Sequence, residues 1–154
     1  MARILIVCGL PGAGKTTVAT RLANERRGVR LCPDDWMNAL GVDLYDQDVR
    51  ARVERIQWDL AKELALTRTT AVIEWGTWQR TERDVIREWC RENDVGVELH
   101  FLDVPLDELW DRLRVRNEQP GETIISRADL ETWASTSFDT PTADELALFD
   151  APLA

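Results

Sequence analysis

The chain has 154 residues, 44% of them apolar and 31% charged, with 28 acidic side chains against 19 basic ones and a formal net charge of -9. That length and balance are those of a soluble globular protein of about one domain, so residues 1–154 are expected to form a single unit. The acidity argues against a broad phosphate-binding surface for nucleic acid. No apolar run reaches membrane-spanning length or has the shape of a secretory leader, which makes a cytoplasmic location without a membrane partner the expectation.

Arg3-Ile4-Leu5-Ile6-Val7-Cys8 opens the chain as a short apolar run of the kind buried in a parallel sheet. Gly9-Leu10-Pro11-Gly12-Ala13-Gly14-Lys15-Thr16 follows, and then Thr17–Arg26 reads as a helix. Val29–Cys32 is a second, short strand, after which Pro33-Asp34-Asp35-Trp36 opens another helix. The spacing of Val49, Val53, Ile56, Leu60 and Leu64 predicts a long helix over Gln47–Thr67 with that apolar stripe. Ala71–Trp75 is a third strand, and Arg80–Glu92 a helix that buries Val85, Ile86 and Trp89.

Val95–Val104 is the fourth strand. Pro105 starts a helix from Leu106 to about Arg116 that buries Leu106, Leu109, Trp110 and Leu113. Asn117–Thr123 is a polar loop with Pro120 and Gly121, Ser126 caps a helix over Arg127–Ser135, and a last helical turn runs from Pro141 to near Phe149. Strands alternating with helices predict an α/β fold, a parallel sheet with helices on both faces. Cys8, Cys32 and Cys90 show neither CxxC pairing nor histidine partners and read as small buried apolar residues, and His100 reads as structural.

The octapeptide Gly9–Thr16 is a complete GxxxxGK[ST] phosphate-binding loop in the strand–loop–helix setting such a loop requires. Its glycines let successive N–H groups point inward as an anion nest, and the helix N-terminus adds positive partial charge. Gly9, Pro11, Gly12, Ala13, Gly14, Lys15, Thr16 and Thr17 are therefore the expected nucleotide contacts. Lys15 is expected to reach the β- and γ-phosphates, and the Thr16 hydroxyl to bind Mg²⁺. ATP and Mg²⁺ are the expected cofactors.

Ligands of open parallel sheets bind beyond the carboxyl ends of the strands. Asp34 and Asp35 follow the second strand; one is expected to act on an attacking hydroxyl while the other caps the helix. Glu74 ends the third, as a water-mediated Mg²⁺ ligand, a substrate holder or a salt-bridged strand-end residue. Arg112 and Arg116 share one helix face and precede the Pro/Gly loop, so residues about 112–126 can form a lid whose arginines clamp a phosphoryl group or merely pair with Glu108 and Asp111. Arg80 and Arg83 are candidates for a substrate anion. Trp36, Trp75 and Trp78 either line an acceptor pocket or simply pack.

Taken together, Gly9–Thr17, Asp34-Asp35-Trp36, the strand ending at Glu74, Glu82-Arg83, Leu102-Asp103-Val104-Pro105, Glu108-Leu109, Arg112 and Arg116-Asn117 resemble the P-loop kinase family that includes the kinase domain of phage polynucleotide 5′-kinase. Zeta toxins and chloramphenicol phosphotransferase are more distant relatives in this set of small, kinase-like AAA-type ATP-binding domains. The resemblance covers about residues 3 to 135. It implies strand order 2-3-1-4, a mobile lid, Asp34 as general base and Arg112 and Arg116 on the phosphates. Glu74-Trp75-Gly76 stands where that family often carries Asp-x-Asn, a departure that moves weight away from a nucleic-acid acceptor.

The expected activity is transfer of the γ-phosphoryl group of ATP·Mg to a hydroxyl of a small-molecule acceptor. A polynucleotide 5′-hydroxyl kinase is the alternative, and an ATPase switch acting through a protein partner is the alternative of another class.

Overall fold

In the computed structural model, which describes residues 1–153, the four expected strands are β1 (Arg3–Cys8), β2 (Val29–Leu31), β3 (Ala71–Ile73) and β4 (Gly96–Phe101). They form one parallel sheet in the order β2-β3-β1-β4. Ile4 to Cys8 are buried on both faces of the central strand, which is why the run carries no polar alternation. The helices are α1 (Lys15–Arg26), α2 (Pro33–Leu40), α3 (Gln47–Leu66), α4 (Arg80–Glu92), α5 (Leu106–Asn117), α6 (Arg127–Thr132) and α7 (Ala143–Leu146). The helix expected to reach Ser135 stops at Thr132 and passes into a π-helical turn over Trp133–Ser137.

Two predicted faces are rotated. On α3 the buried positions are Val53, Gln57, Ala61 and Ala65, a clean i, i+4 row, while Ile56 is 55% exposed. Small residues let this helix lie close on the sheet, with Leu60 and Leu64 filling its flank. On α4 Ile86 is buried and Val85 is 59% exposed, because the inward row is Arg83, Ile86 and Cys90. On α5, Leu109 and Leu113 form the buried seam as expected.

Strand order decides what meets at the top of the sheet. β1 and β3 are neighbours in the register Ile6↔Ile73, so the loop after β1 and Glu74 after β3 emerge side by side. β2 lies on the other flank of β3 with Leu31 opposite Ile73, and the Glu74 amide donates to the Leu31 carbonyl at 3.0 Å. β4 flanks β1, and the Leu102 amide donates to the Cys8 carbonyl at 2.8 Å, leading the chain into α5 beside the loop. A crossover helix runs against its strands, so the N-terminal half of α3 also lies at this end. The three cysteines are buried free thiols whose pKa values burial raises, Cys90 to about 12. His100 bonds Glu98 at 2.8 Å, and Glu98 pairs with Arg3 at 3.0 Å, a structural role as expected. No helix among the described residues is long and apolar enough to cross a membrane.

Candidate active site

The loop Gly9–Gly14 turns on two glycines in left-handed geometry, Gly12 at φ 86° and Gly14 at φ 92°. Gly12 also has no room for a side chain: a Cβ there would stand 3.1 Å from Leu113 Cγ and 3.2 Å from the Leu109 carbonyl. The loop is thus pressed against α5, the helix that carries Arg112 and Arg116. Gly14 is the N-cap of α1 and has no side chain to satisfy the first amides, which leaves them facing the cradle. Lys15 curls back so that Nζ donates to the carbonyls of Gly9 (2.8 Å) and Leu10 (3.3 Å). Burial pushes its ammonium below the ordinary lysine range; the nearby carboxylates of Glu74 and Asp34 oppose that shift, and Arg116 adds to it.

Arg112 and Arg116 reach the site differently. Arg112 donates to the Gly12 carbonyl at 3.2 Å and to Glu108 at 2.5 Å. Arg116 lies near enough to Lys15 to depress its pKa, yet its own Nε is buried without a hydrogen-bond partner among the described residues, with Glu122 3.8 Å away. The loop beyond α5 is closed by Asn117, whose side chain both donates to the Ile125 carbonyl (2.8 Å) and accepts from its amide (3.0 Å).

On the other side of the loop, Thr16 donates its hydroxyl to Oε1 of Glu74. Glu74 Oε2 accepts from Arg30 at 2.6 Å, and the same guanidinium donates to Asp35. Asp34 accepts from Arg50 of α3 at 2.5 Å. Neither aspartate caps α2: its N-cap is Cys32, with no side-chain bond, so the expected capping role is not met. Both carboxylates instead lie in the first turn, where the helix dipole favours them. Glu54, one turn after Arg50, is a further member of this group. Burial pushes its carboxyl up to about 7, with Arg50 pulling it down and Glu82 and Asp34 raising it.

One sequence expectation needs correction. Arg83 is not free for a substrate anion: its side chain is 0% exposed and all of its donors are engaged, by Glu145, the carbonyls of Thr77, Trp78 and Asp139, and Cys8. Trp75 is buried in the core, Trp36 packs half-buried against it, and Trp78 sits in an aromatic group with Trp133 (5.7 Å) and Phe138 (6.3 Å). Arg80 is exposed, its Nε 3.6 Å from Asp84, and its amide donates to Asp139.

Arg30, Arg50 and Glu54 were missed. Alternation along β2 offers a signal for the first, since Arg30 stands opposite Val72 and so on the same face as Glu74 two residues on. For the other two the signal is their place at the N-terminal end of a crossover helix.

The residues fit a magnesium nucleotide. The uncapped first amides of α1 and two cations, Lys15 and Arg112, converge on the loop, and a hydroxyl–carboxylate pair stands where a metal-binding threonine is expected. An apolar hollow of about 240 Å³ adjoins the cradle between Leu10, Leu109 and Phe138, with Asp103 on its wall.

The AAA domain family AAA_33 matches residues 4–138. Gluconokinase of Gluconobacter oxydans (strain 621H) is 33% identical over 121 residues, spanning 74% of this chain and 65% of that protein. A "Probable adenylyl-sulfate kinase" of Aeropyrum pernix is 26% identical over 113 residues, spanning 69% of this chain and 61% of its own. The chain therefore covers less than two thirds of the length of these curated relatives. Among solved structures, a chain of the Pnkp1/Rnl/Hen1 RNA repair complex superposes with a TM-score of 0.71 at 21% identity, over 96% of this chain and 43% of that one, which shows a shared fold. Strand order, phosphate-binding loop and a family match running over most of its length place this chain in the AAA_33 family, among the P-loop kinase domains.

Proposed function

We propose that the protein is an ATP-dependent kinase that transfers the γ-phosphoryl group to a hydroxyl of a small-molecule acceptor, with residues 1–154 forming one kinase-like domain and about 112–126 its lid. The observation that carries the reading is the pair of cations seated on the loop: Lys15 donates to the carbonyls of Gly9 and Leu10, and Arg112 donates to that of Gly12, with Arg116 one turn further along the same helix. Such a pair gains from an anion between them, and a phosphoryl group in transfer supplies one.

Mg²⁺, when bound, neutralises charge on the β- and γ-phosphates, and Thr16 and Glu74 are the residues that would hold it. The loop amides and Lys15 orient the phosphate chain. Arg50 fixes Asp34 through Oδ1, which leaves Oδ2 to accept the proton of the acceptor hydroxyl. The acceptor O–H bond breaks as its oxygen bonds to phosphorus, the bond from phosphorus to the β,γ-bridging oxygen breaks, and ADP leaves. Arg116, and Arg112 above Gly12, offset the charge on the moving group. Catalysis is then mostly positioning and electrostatics.

The acidity of the acceptor side supports a small acceptor. Asp34, Asp35, Glu54 and Glu82 gather there, and Arg50 and Arg30 are already paired with carboxylates. A polynucleotide end would bring its phosphates against these groups.

The experiment is γ-phosphoryl transfer from labelled ATP with Mg²⁺ to two acceptor pools, one of 5′-hydroxyl oligonucleotides and one of small hydroxylated metabolites, nucleosides and antibiotics. Transfer to the small-molecule pool that disappears in Asp34→Asn and survives in Asp35→Asn is the expected result. Labelling of oligonucleotides alone overturns the acceptor class. Release of free phosphate with no acceptor labelled turns the reading toward an ATPase switch.

A further inference from the structure

Arg30 joins two carboxylates that belong to different halves of the site. Its Nη1 donates to Glu74 Oε2 at 2.6 Å and its Nη2 donates to Asp35. Glu74 Oε1 accepts from Thr16. An unbroken chain of polar contacts therefore runs from Thr16 on α1, through Glu74 at the end of β3 and Arg30 on β2, to Asp35 in the first turn of α2, next to Asp34. The Glu74 side chain is 4% exposed and that of Arg30 23%, so water screens the pair weakly. Burial opposes the charge on Arg30, and the bond and charge of Glu74, with Cys32 and Asp35 adding to them, together outweigh it.

Resting on the reading above, we propose that Arg30 is a positioning residue of this site. It fixes Glu74 with Oε1 turned to Thr16, the two residues that would hold Mg²⁺, and it ties that pair to the helix that carries Asp34. Its role is geometric. A cation bonded to Glu74 weakens the pull of that carboxylate on a metal, so Arg30 adds no affinity through charge. What it adds is orientation: one planar fork satisfies Glu74 and Asp35 together, which a single ammonium does less well. Without it, two carboxylates face each other with no cation between them, and Glu74 is free to turn from Thr16. Arg30 bonds Glu74 and Asp35 and acts through them.

The test needs no acceptor. Affinity for a non-hydrolysable ATP analogue is measured with Mg²⁺ and with EDTA, and the ratio of the two is the metal enhancement. In Arg30→Met the enhancement falls about tenfold or more, the usual effect of losing a partner behind a metal ligand, while affinity in EDTA stays within about twofold. Arg30→Lys recovers part of the loss. In a Glu74→Gln background Arg30→Met adds less than about twofold, because the carboxylate it positions is gone.

Should Arg30→Met fail to fold, Asp35→Asn cuts the same chain at its exposed end and lowers the enhancement by a smaller factor. An unchanged enhancement in every one of these variants overturns the proposal. So does a parallel loss of affinity with and without Mg²⁺, which makes Arg30 a residue of the fold alone. A native protein that binds no nucleotide in either condition overturns the kinase reading itself.

Discussion

Arg83 and Glu145 form a two-bond ion pair closed off from water, Nε to Oε1 at 2.6 Å and Nη2 to Oε2 at 3.0 Å, with side chains 0% and 2% exposed. The same guanidinium donates to the carbonyls of Thr77 (2.8 Å), Trp78 (3.1 Å) and Asp139 (2.8 Å). One side chain on α4 thereby clamps the loop after β3, the turn before α7 and α7 itself.

Removing one partner of such a pair leaves a buried charge without compensation, which costs about 3–5 kcal/mol. Arg83→Met is expected to lose about that much stability in urea unfolding, and Arg83→Lys to recover only part of it, since an ammonium cannot fill the fork. At a temperature where the variant is still folded, its nucleotide affinity matches that of the native protein. A variant of native stability that loses a substrate contact returns Arg83 to the site.

That clamp marks where the sequence stops being legible. Arg83 follows the third strand, where an arginine can reach a bound anion, and nothing local distinguishes a buried arginine from an exposed one when its partner lies 62 residues away. The fold itself was readable because its signals are local: the apolar run Ile4–Cys8, the glycine spacing of the loop and Pro105 before a helix each carry their meaning within a few residues. The strand order followed from the family resemblance. The rotated faces of α3 and α4 have one cause. Exposed Ile56 and Val85 satisfied the apolar pattern, while Gln57 and Arg83, which sit inside, broke it.

At the site, Lys15, Thr16 and Glu74 were legible because each ends or follows a strand. Arg30, Arg50 and Glu54 were not, since their meaning arises only when β2 is set beside β3 and α3 is laid across the same end.

The burial of Lys15 comes at a cost to the empty fold. Its ammonium is buried and its pKa depressed, so at neutral pH folding works against its charge. Lys15→Met is expected to leave the melting temperature without nucleotide unchanged or slightly raised. It should abolish the rise on adding ATP·Mg, which for the native protein at 100-fold over the dissociation constant amounts to roughly 2.7 kcal/mol. Differential scanning fluorimetry reads both. A full ATP-induced shift in Lys15→Met sinks its role on the phosphates.

The two lid arginines are expected to separate kinetically. Arg112 already has Glu108 and the Gly12 carbonyl as partners, whereas the Arg116 side chain makes no hydrogen bond among the described residues and has only Glu122, 3.8 Å from its Nε. Arg116→Ala is expected to lower kcat by about 10²–10³, the effect of deleting one donor to a transition-state charge, with a much smaller change in ATP affinity. Arg112→Ala falls well short of that. Steady-state rates set against equilibrium ATP binding decide it, and equal effects of the two substitutions on both quantities remove the distinction.

Glu54 gives the site a titration in the neutral range. Burial, reinforced by Glu82 and Asp34 and opposed by Arg50, lifts its carboxyl from an ordinary 4.5 to about 7. The folded protein therefore holds this proton more tightly than the unfolded chain does. Its contribution to stability is fully present below about 4.5 and is lost as pH rises through about 7.

Glu54→Gln keeps the shape and removes the charge. Its stability is expected to match the native protein near pH 5 and to exceed it at pH 8 by roughly 1–3 kcal/mol, a figure discounted for partial exposure. Thermal melts across that range measure the difference. The neighbours supply the sign test: Asp34→Asn removes a like charge and should move the midpoint of the stability change to lower pH, while Arg50→Met removes the opposing cation and should move it higher. Melts of Asp34→Asn that keep the native midpoint mean that Glu54 and the proposed base do not share a field, and the acidic acceptor side then loses one of its members.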